Sequence, residues 1–506
     1  MDPADPLSTR TGPGPVSYGP RALRGTVIAA TFRIAATAVS LATTMVLARL
    51  LTPEDFGVID MVATLTALLA ISEDLGLSLA TIQREEVTRE QVSNLFWLNA
   101  GFGLLLWSLC GLSAPLLVGF YEEPALFWVA PAVGMNFFWS GLAAQPGALL
   151  QRRFEFGRSG SAEVAGRVLG LVAGVAGALG GLSYWALVLN TLVGAAVRTI
   201  LLFWLSGLRP RLPRRGTGVR PMVAMGGWYV GFGFMNYIAR NADNILIGRF
   251  IGAAALGLYA RAYQLYLLPY RIFNSVLGQV AIPTLSRLQE DLERFQRAYV
   301  GLVQVMLLGA SASAGWLAVM APEVILVVLG EEWLDVVPLF RIFSAVGILR
   351  PLLGTAGWIF VATGRTRRMF AWSIVPATVL SAAFVIGLRF GLEGVAWAYA
   401  AGWIGILLVP GMVLAVGTVG LTLRSFTVRV ARHLGVVIIS VGAAILLKLG
   451  LMEITRHPLA LLMLFFPTIL TVHYVLIRLV TPGTLQEIRR LATAPREEEH
   501  TDEHPA

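Results

Sequence analysis

Mostly apolar runs recur along the chain near 25–50, 57–82, 93–118, 125–149, 161–182, 183–206, 222–247, 254–281, 300–328, 338–362, 370–388, 394–415, 433–452 and 459–480. Each approaches or exceeds the roughly 20 residues a helix needs to cross the hydrocarbon core of a bilayer. Lipid offers the backbone no hydrogen-bond partners, so the runs are expected to be helices. They are continuous rather than alternating, which argues against barrel strands. The pattern predicts fourteen transmembrane helices. The divisions are weakest at 161–206, where only Gly180-Gly181-Leu182-Ser183 interrupts the apolar run, and in the polar pair at 222–281.

Composition agrees. The 506 residues are 56% hydrophobic and 14% charged, with mean hydropathy +0.71, whereas a soluble protein is about 25% charged. Soluble domains of this total length would lack a charged coat, and the single Cys110 excludes a disulfide scaffold. A net charge of +9 suggests nucleic acid only if the cations share one solvated face. They do not. Alternate loops collect them: Arg21 and Arg24, Arg152 and Arg153, Arg209 to Arg220, Arg365 to Arg368, and Arg489 and Arg490. The opposite loops are acidic, with Glu54, Asp55, Glu122, Glu123, Glu331 and Glu332. The positive-inside rule places both termini in the cytoplasm, and no nucleic-acid partner is expected. Ten basic residues remain within or beside the spans: Arg33, Arg49, Arg167, Arg198, Arg240, Arg261, Arg271, Arg341, Arg350 and Lys448.

A repeat is visible at an offset of about 200 residues. Leu47-Ala48-Arg49-Leu50-Leu51 with Phe56-Gly57-Val58 matches Ile247-Gly248-Arg249-Phe250-Ile251 with Leu256-Gly257-Leu258. Glu122-Glu123 and Arg152-Arg153-Phe154 find later echoes in Glu331-Glu332 and Arg367-Arg368 with Phe370. The expected organisation is a cytoplasmic segment at 1–24, a six-helix lobe at 25–206 and a basic linker at 207–221. A second six-helix lobe follows at 222–415, then two extra helices with their preceding loop at 416–480, and a disordered cytoplasmic tail at 481–506. An even number of spans per lobe makes the repeats parallel, about an axis along the membrane normal, as in transporters with a site between lobes. The loops are too short for an extramembrane catalytic domain, so the chain is not expected to be an enzyme. The stretch 284–299 reads as a short amphipathic surface helix.

Polar residues within spans are functional candidates because a buried charge there costs about 2.5–3.5 kcal/mol on insertion scales. Arg33, Thr37, Ser40 and Thr44 form one helical stripe, and Asn236, Arg240, Asp243 and Asn244 another. Tyr259, Tyr263, Tyr266, Tyr270 and Asn274 follow at spacings of three and four, beside Arg261 and Arg271; packing and sugar contact are both consistent with such a stripe. Asp74 is a membrane carboxylate able to bind a proton or cation, or to neutralise an arginine. Gly166, Gly170 and Gly174 indicate close helix packing. His473 reads as a packed histidine, and His500 with His504 lacks a third ligand for a metal.

Several strings resemble bacterial polysaccharide flippases related to the colanic acid exporter: Ala48-Arg49-Leu50-Leu51-Thr52-Pro53-Glu54-Asp55-Phe56-Gly57, Asp74-Leu75-Gly76-Leu77-Ser78, Asn241-Ala242-Asp243-Asn244-Ile245-Leu246-Ile247-Gly248-Arg249 and Pro283-Thr284-Leu285-Ser286-Arg287. The resemblance covers about 25–430. It implies the all-α, MATE-like fold of the multidrug, oligosaccharidyl-lipid and polysaccharide exporter superfamily. Its implied cargo is an oligosaccharide repeat unit on undecaprenyl diphosphate, moved across the bacterial cytoplasmic membrane by alternating access. On that resemblance Arg33, Arg240, Arg261 and Arg271 are expected to hold the diphosphate. Tyr263, Tyr266, Tyr270, Asn236, Asn244 and Asn274 are expected to hold sugars. Asp74 or Asp243 is the candidate for coupling to a proton or sodium gradient, with no other cofactor. Polysaccharide polymerase and chain-length machinery are implied partners, alongside membrane lipids. A lipid II flippase and a multidrug–cation antiporter are alternatives on the same fold. A membrane glycan polymerase or ligase is the alternative from another class, disfavoured by the short outer loops.

Overall fold

The computed structural model describes residues 18–70, 73, 77–83, 87–213 and 241–483, and every regular element among them is helical. Ten helical stretches, from Ile28–Ala48 to Pro458–Val480, are long and apolar enough to cross a bilayer. Two further helices are more polar. Pro53–Ala70 carries Glu54, Asp55 and Asp60, and Ala253–Arg287 interleaves Arg261, Gln264, Arg271 and Asn274 with its apolar residues. The apolar stretch Arg367–Gly417 doubles back. A 3-10 turn at Leu388–Phe390 and a left-handed Gly391 (φ 73°) reverse the chain, so Gly391–Ala400 packs on Thr366–Gly387.

Sequence boundaries and observed ones mostly agree within a turn. Helices Phe156–Leu179 and Trp185–Ser206 divide 161–206 where the glycines stand, with left-handed Gly181 and Ser183 making the turn. The expected run at 57–82 is helical over Pro53–Ala70 and again over Leu77–Gln83. The first of these begins at a capping box: the Thr52 N–H and hydroxyl both donate to the Asp55 carboxylate at 2.9 Å, and the Asp55 N–H returns to the Thr52 hydroxyl. The expected surface helix at 284–299 is instead the end of Ala253–Arg287 and the start of Leu292–Met306. Asp291 caps the second of these through the Arg294 N–H. Leu285, Phe295 and Tyr299 are fully buried there, so that apolar face meets protein rather than a lipid surface.

Contacts divide the chain into two compact units, Met1–Ala260 and Arg261–Ala506. In the first, Gly166, Gly170 and Gly174 let one helix approach the backbone of the next. A Cβ at Gly170 would lie 2.5 Å from the Asn190 carbonyl, and one at Gly166 would lie 2.7 Å from the Gly194 carbonyl. A second close approach pairs positions that stand 200 residues apart. A Cβ at Gly57 would overlap the Ala253 carbonyl, and one at Gly257 would overlap the Pro53 carbonyl. The same contact is therefore made twice with exchanged partners. Gly57→Ala is expected to cost at least about 1–3 kcal/mol through overpacking. The check is thermal unfolding of the purified protein; a variant melting at or above wild type would mean the two backbones do not meet there.

In the second unit, two π-helical segments, Leu307–Ser311 and Ala401–Leu407, interrupt otherwise α-helical runs. Such segments release carbonyls from the regular ladder, and His473 Nε2–H donates to one of them, Leu308 O, at 2.9 Å. His473 also packs edge-on against Trp316, whose indole N–H donates to the Ser440 hydroxyl at 3.0 Å. These bonds fasten the last two helices, Leu423–Ile454 and Pro458–Val480, to the 307–319 region.

Candidate functional site

The tyrosine stripe on Ala253–Arg287 becomes a site through three residues from elsewhere in the chain. Spacings of three and four put Tyr263, Tyr266 and Tyr270 along one helical face. Arg350 reaches them from Val336–Gly354, Tyr399 from the end of Gly391–Ala400, and Trp403 from the π-segment that follows. Arg350 Nη1 donates to the Tyr399 hydroxyl at 2.9 Å and to the Tyr266 hydroxyl at 3.1 Å. Those two hydroxyls are themselves 2.7 Å apart. The guanidinium carbon lies 5.0 Å from the centre of the Trp403 ring, 5.2 Å from that of Tyr270 and 6.0 Å from that of Tyr266. Tyr263 and Phe343 close the cluster with edge contacts near 5–6 Å.

No carboxylate pairs with Arg350 among the described residues, and its buried Nε has no hydrogen-bond partner. Ring faces are worth about 0.5–2 kcal/mol each to a cation. That offsets part of the desolvation of a guanidinium, but it supplies no counter-charge. The arrangement is a cationic cage with flat aromatic walls and phenolic hydroxyls. It suits a ligand that brings negative charge together with hydroxyl groups and the apolar faces of sugar rings. Gly354 contributes by lacking a side chain, since a Cβ there would collide with the Tyr270 hydroxyl.

The other expected site residues are scattered more widely. Tyr270 donates weakly to Asn274 Oδ1 at 3.4 Å. Arg261 is half-buried and Arg271 exposed on the same helix. Arg33 is exposed on the helix Tyr18–Ala48. Asp243 is buried, accepting from the Tyr259 hydroxyl at 3.0 Å and from the Asn244 N–H at 2.9 Å. Its expected neighbour Arg240 lies outside the described residues, as do Asn236 and Asp74. Arg249 meets Glu122 at 2.8 Å and packs over Phe120 and Phe250, while Asp55 accepts from the Ser183 hydroxyl.

Arg350, Tyr399 and Trp403 were absent from the expected site. The available signals were a cation in an apolar run and two aromatics spaced by four, but nothing local joins positions 266, 350 and 399.

A family model described as "Polysaccharide biosynthesis protein" matches residues 46–338. Among curated proteins, the teichuronic acid biosynthesis protein TuaB of Bacillus subtilis (strain 168) is 27% identical over 338 residues, covering 65% of this chain and 68% of that protein. The lipopolysaccharide biosynthesis protein WzxC of Escherichia coli (strain K12) is 27% identical over 349 residues, covering 68% and 70%. The succinoglycan biosynthesis transport protein ExoT of Rhizobium meliloti (strain 1021) is 26% identical over 361 residues, covering 70% and 72%. Among solved structures, the lipid II flippase MurJ in an inward closed conformation aligns with TM-score 0.67 at 12% identity, covering 92% of this chain and 100% of that one. An inward-facing multidrug resistance MATE family transporter of the MOP superfamily aligns with TM-score 0.61 at 15% identity, covering 76% and 94%. At those identities the two structures speak for the fold.

Proposed function

The chain belongs to the polysaccharide biosynthesis protein family, and from that membership and the Arg350 cage we infer that it is a flippase for lipid-linked oligosaccharide. It is a multi-pass membrane protein that moves oligosaccharide repeat units on a polyprenyl diphosphate across the cytoplasmic membrane for polysaccharide biosynthesis. The observation that carries the reading is a half-buried cation, without a carboxylate partner among the described residues, walled by Tyr266, Tyr270, Tyr399 and Trp403. The headgroup of such a lipid combines anionic phosphate with sugar rings, and the polyprenyl tail can remain in the bilayer during transfer.

Fourteen spans in two six-helix lobes, with two extra helices, form the architecture of this reading. The ten apolar stretches support it, together with the polar helices Pro53–Ala70 and Ala253–Arg287 and the reversal inside Arg367–Gly417. The exchanged contacts of Gly57 and Gly257 support two parallel repeats. Arginine placement puts both termini in the cytoplasm. Transport proceeds by alternating access and draws on a proton or sodium gradient, with Asp74 and Asp243 as the coupling candidates. Arg33, Arg240, Arg261 and Arg271 assist with the diphosphate, and Asn236, Asn244, Asn274 and Tyr263 with sugars. A polymerase and chain-length machinery receive the exported units.

Reconstitution tests the function. In proteoliposomes holding a fluorescent undecaprenyl-diphosphate oligosaccharide, the purified chain is expected to expose inner-leaflet lipid to a membrane-impermeant quencher. Quenching that stops at the outer-leaflet fraction, under an imposed proton or sodium gradient, would refute the reading. Faster quenching of labelled lipid II than of repeat-unit lipids would reassign the cargo to peptidoglycan precursor.

A further inference from the structure

A second polar site lies wholly inside the Met1–Ala260 unit. The glycine seam between Phe156–Leu179 and Trp185–Ser206 brings the two backbones together at Gly166 and Gly194. Glu163 stands three residues before Gly166, and Arg198 stands four residues after Gly194, which directs them toward each other across the seam. Arg198 Nε meets Glu163 Oε2 at 2.7 Å. Arg167, one turn along from Glu163, places its Nε 2.9 Å from Oε1. One carboxylate thus holds two guanidiniums, each through Nε.

That geometry leaves the outer ends of both guanidiniums uncommitted. Among the described residues, the terminal nitrogens of Arg167 and Arg198 have no hydrogen-bond partner. Both residues line a cavity of about 450 Å3 with Ser40, Thr43, Asn136, Ser140, Asn190 and Thr199. Its size falls in the range of ordinary ligand sites, roughly 300–1,000 Å3. Arg198 and Ser140 also line a smaller cavity of about 240 Å3 with Glu73, Ser78 and Gln151. Gln151 sits at the end of Leu126–Arg152, next to the cytoplasmic Arg152 and Arg153. Polar side chains therefore run from the cytoplasmic end of that helix to the arginine pair.

A purely structural ion triad would balance its charge. Around Glu163 two half-exposed cations meet one anion on helices apolar enough to cross a membrane, and the Glu73 carboxylate reaches only the smaller cavity beside Arg198. A charge left over in a membrane span is costly. Two planar forks with free terminal N–H groups match an oxyanion that has several oxygens on adjacent centres. The surplus positive charge disfavours a metal cation, and a neutral sugar would not need two guanidiniums. We propose that Arg167 and Arg198, held as a pair by Glu163, form a diphosphate-binding fork within the Met1–Ala260 unit. Glu163 is its positioning residue. The fork depends on the flippase reading only for the identity of the lipid that carries the diphosphate.

The test uses the full chain in lipid nanodiscs and an arginine-specific dicarbonyl reagent, with modification read site by site by mass spectrometry. Inorganic pyrophosphate or undecaprenyl diphosphate is expected to slow modification of Arg167 and Arg198 at least fivefold, leaving the exposed Arg424 unchanged. Protection by the lipid assigns the ligand to a membrane headgroup, and protection by pyrophosphate alone assigns it to a soluble diphosphate. Arg198→Lys retains the charge and loses the fork, and Arg167→Gln loses both; each is expected to weaken binding of the protecting ligand at least tenfold. Glu163→Gln keeps both cations but offers one acceptor oxygen where two Nε groups need holding, and is expected to weaken binding about threefold. Equal modification with and without both ligands, wild-type affinity in Arg198→Lys, or stronger protection by glucuronate than by either diphosphate would overturn the proposal. Binding is read without transport. A chain that binds diphosphate here and moves no lipid-linked oligosaccharide would leave the fork standing while the flippase reading falls.

Discussion

Arg350→Met is expected to reduce transport of lipid-linked oligosaccharide at least tenfold while raising the melting temperature of the protein. Both halves follow from the same local geometry. Arg350 is half-buried, with its Nε fully buried and unbonded, and has no carboxylate partner among the described residues, so it is a net cost to the fold. Methionine fills similar space and places sulfur among the rings of Tyr266, Tyr270 and Trp403, where such contacts are favourable. The Tyr266 and Tyr399 hydroxyls already lie 2.7 Å apart and can satisfy each other once the guanidinium is gone. A residue kept at a cost to stability is a frequent mark of function. Arg350→Lys is expected to fall between: it retains the charge but cannot hold both hydroxyls from one planar group or stack between rings. Transport in proteoliposomes and thermal unfolding of the same preparations check the pair of outcomes. Wild-type transport by Arg350→Met would remove the cage from the mechanism.

The largest stability effect is expected at Lys448. Its ammonium donates to Glu323 at 2.8 Å and to the Val319 carbonyl at 3.0 Å, and the two side chains are only 15% and 12% exposed. Lys448→Met leaves the Glu323 carboxylate buried without its cation, a change that costs about 3–5 kcal/mol. The charge-neutral double change Lys448→Met with Glu323→Leu removes both charges and should recover most of that loss, because replacing a buried pair by apolar groups is often neutral or better. Unfolding of the two single variants and the double variant forms a cycle that reads this coupling. Additive losses would show that the pair contributes nothing as a pair. The bond ties Leu423–Ile454 to the 312–328 helices, so the single variant should also loosen the packing of the last two helices.

How much of this was legible along the chain depends on the range of the forces involved. The apolar runs marked the helices because a bilayer forces any chain crossing it to satisfy its backbone internally. The break at 180–183 was readable because glycine permits the left-handed turn found there. The seam at Gly166, Gly170 and Gly174 was readable because small residues at four-residue spacing present one bare face. Tyr263, Tyr266 and Tyr270 were recognisable as one surface for the same geometric reason. The stretch 284–299 differs from the surface helix its pattern suggests because an amphipathic face carries no mark of whether lipid or protein will cover it, and here Phe295 and Tyr299 enter the core.

The sequence by itself determined what its local periodicity and charge asymmetry can encode: a helical membrane protein, its approximate helix limits, the alternation of basic and acidic loops, the 200-residue repeat and the family likeness in its strings. The tertiary structure decided which polar side chains share a space. Arg350 meets residues 84 positions before it and 49 after it, and Arg198 meets Glu163 across a glycine seam. The π-segment that carries Trp403 into contact with Arg350 has no sequence signature. Hydrogen bonds and cation–ring contacts act over a few ångströms in space and are indifferent to separation along the chain, so these constellations exist only after the helices have packed.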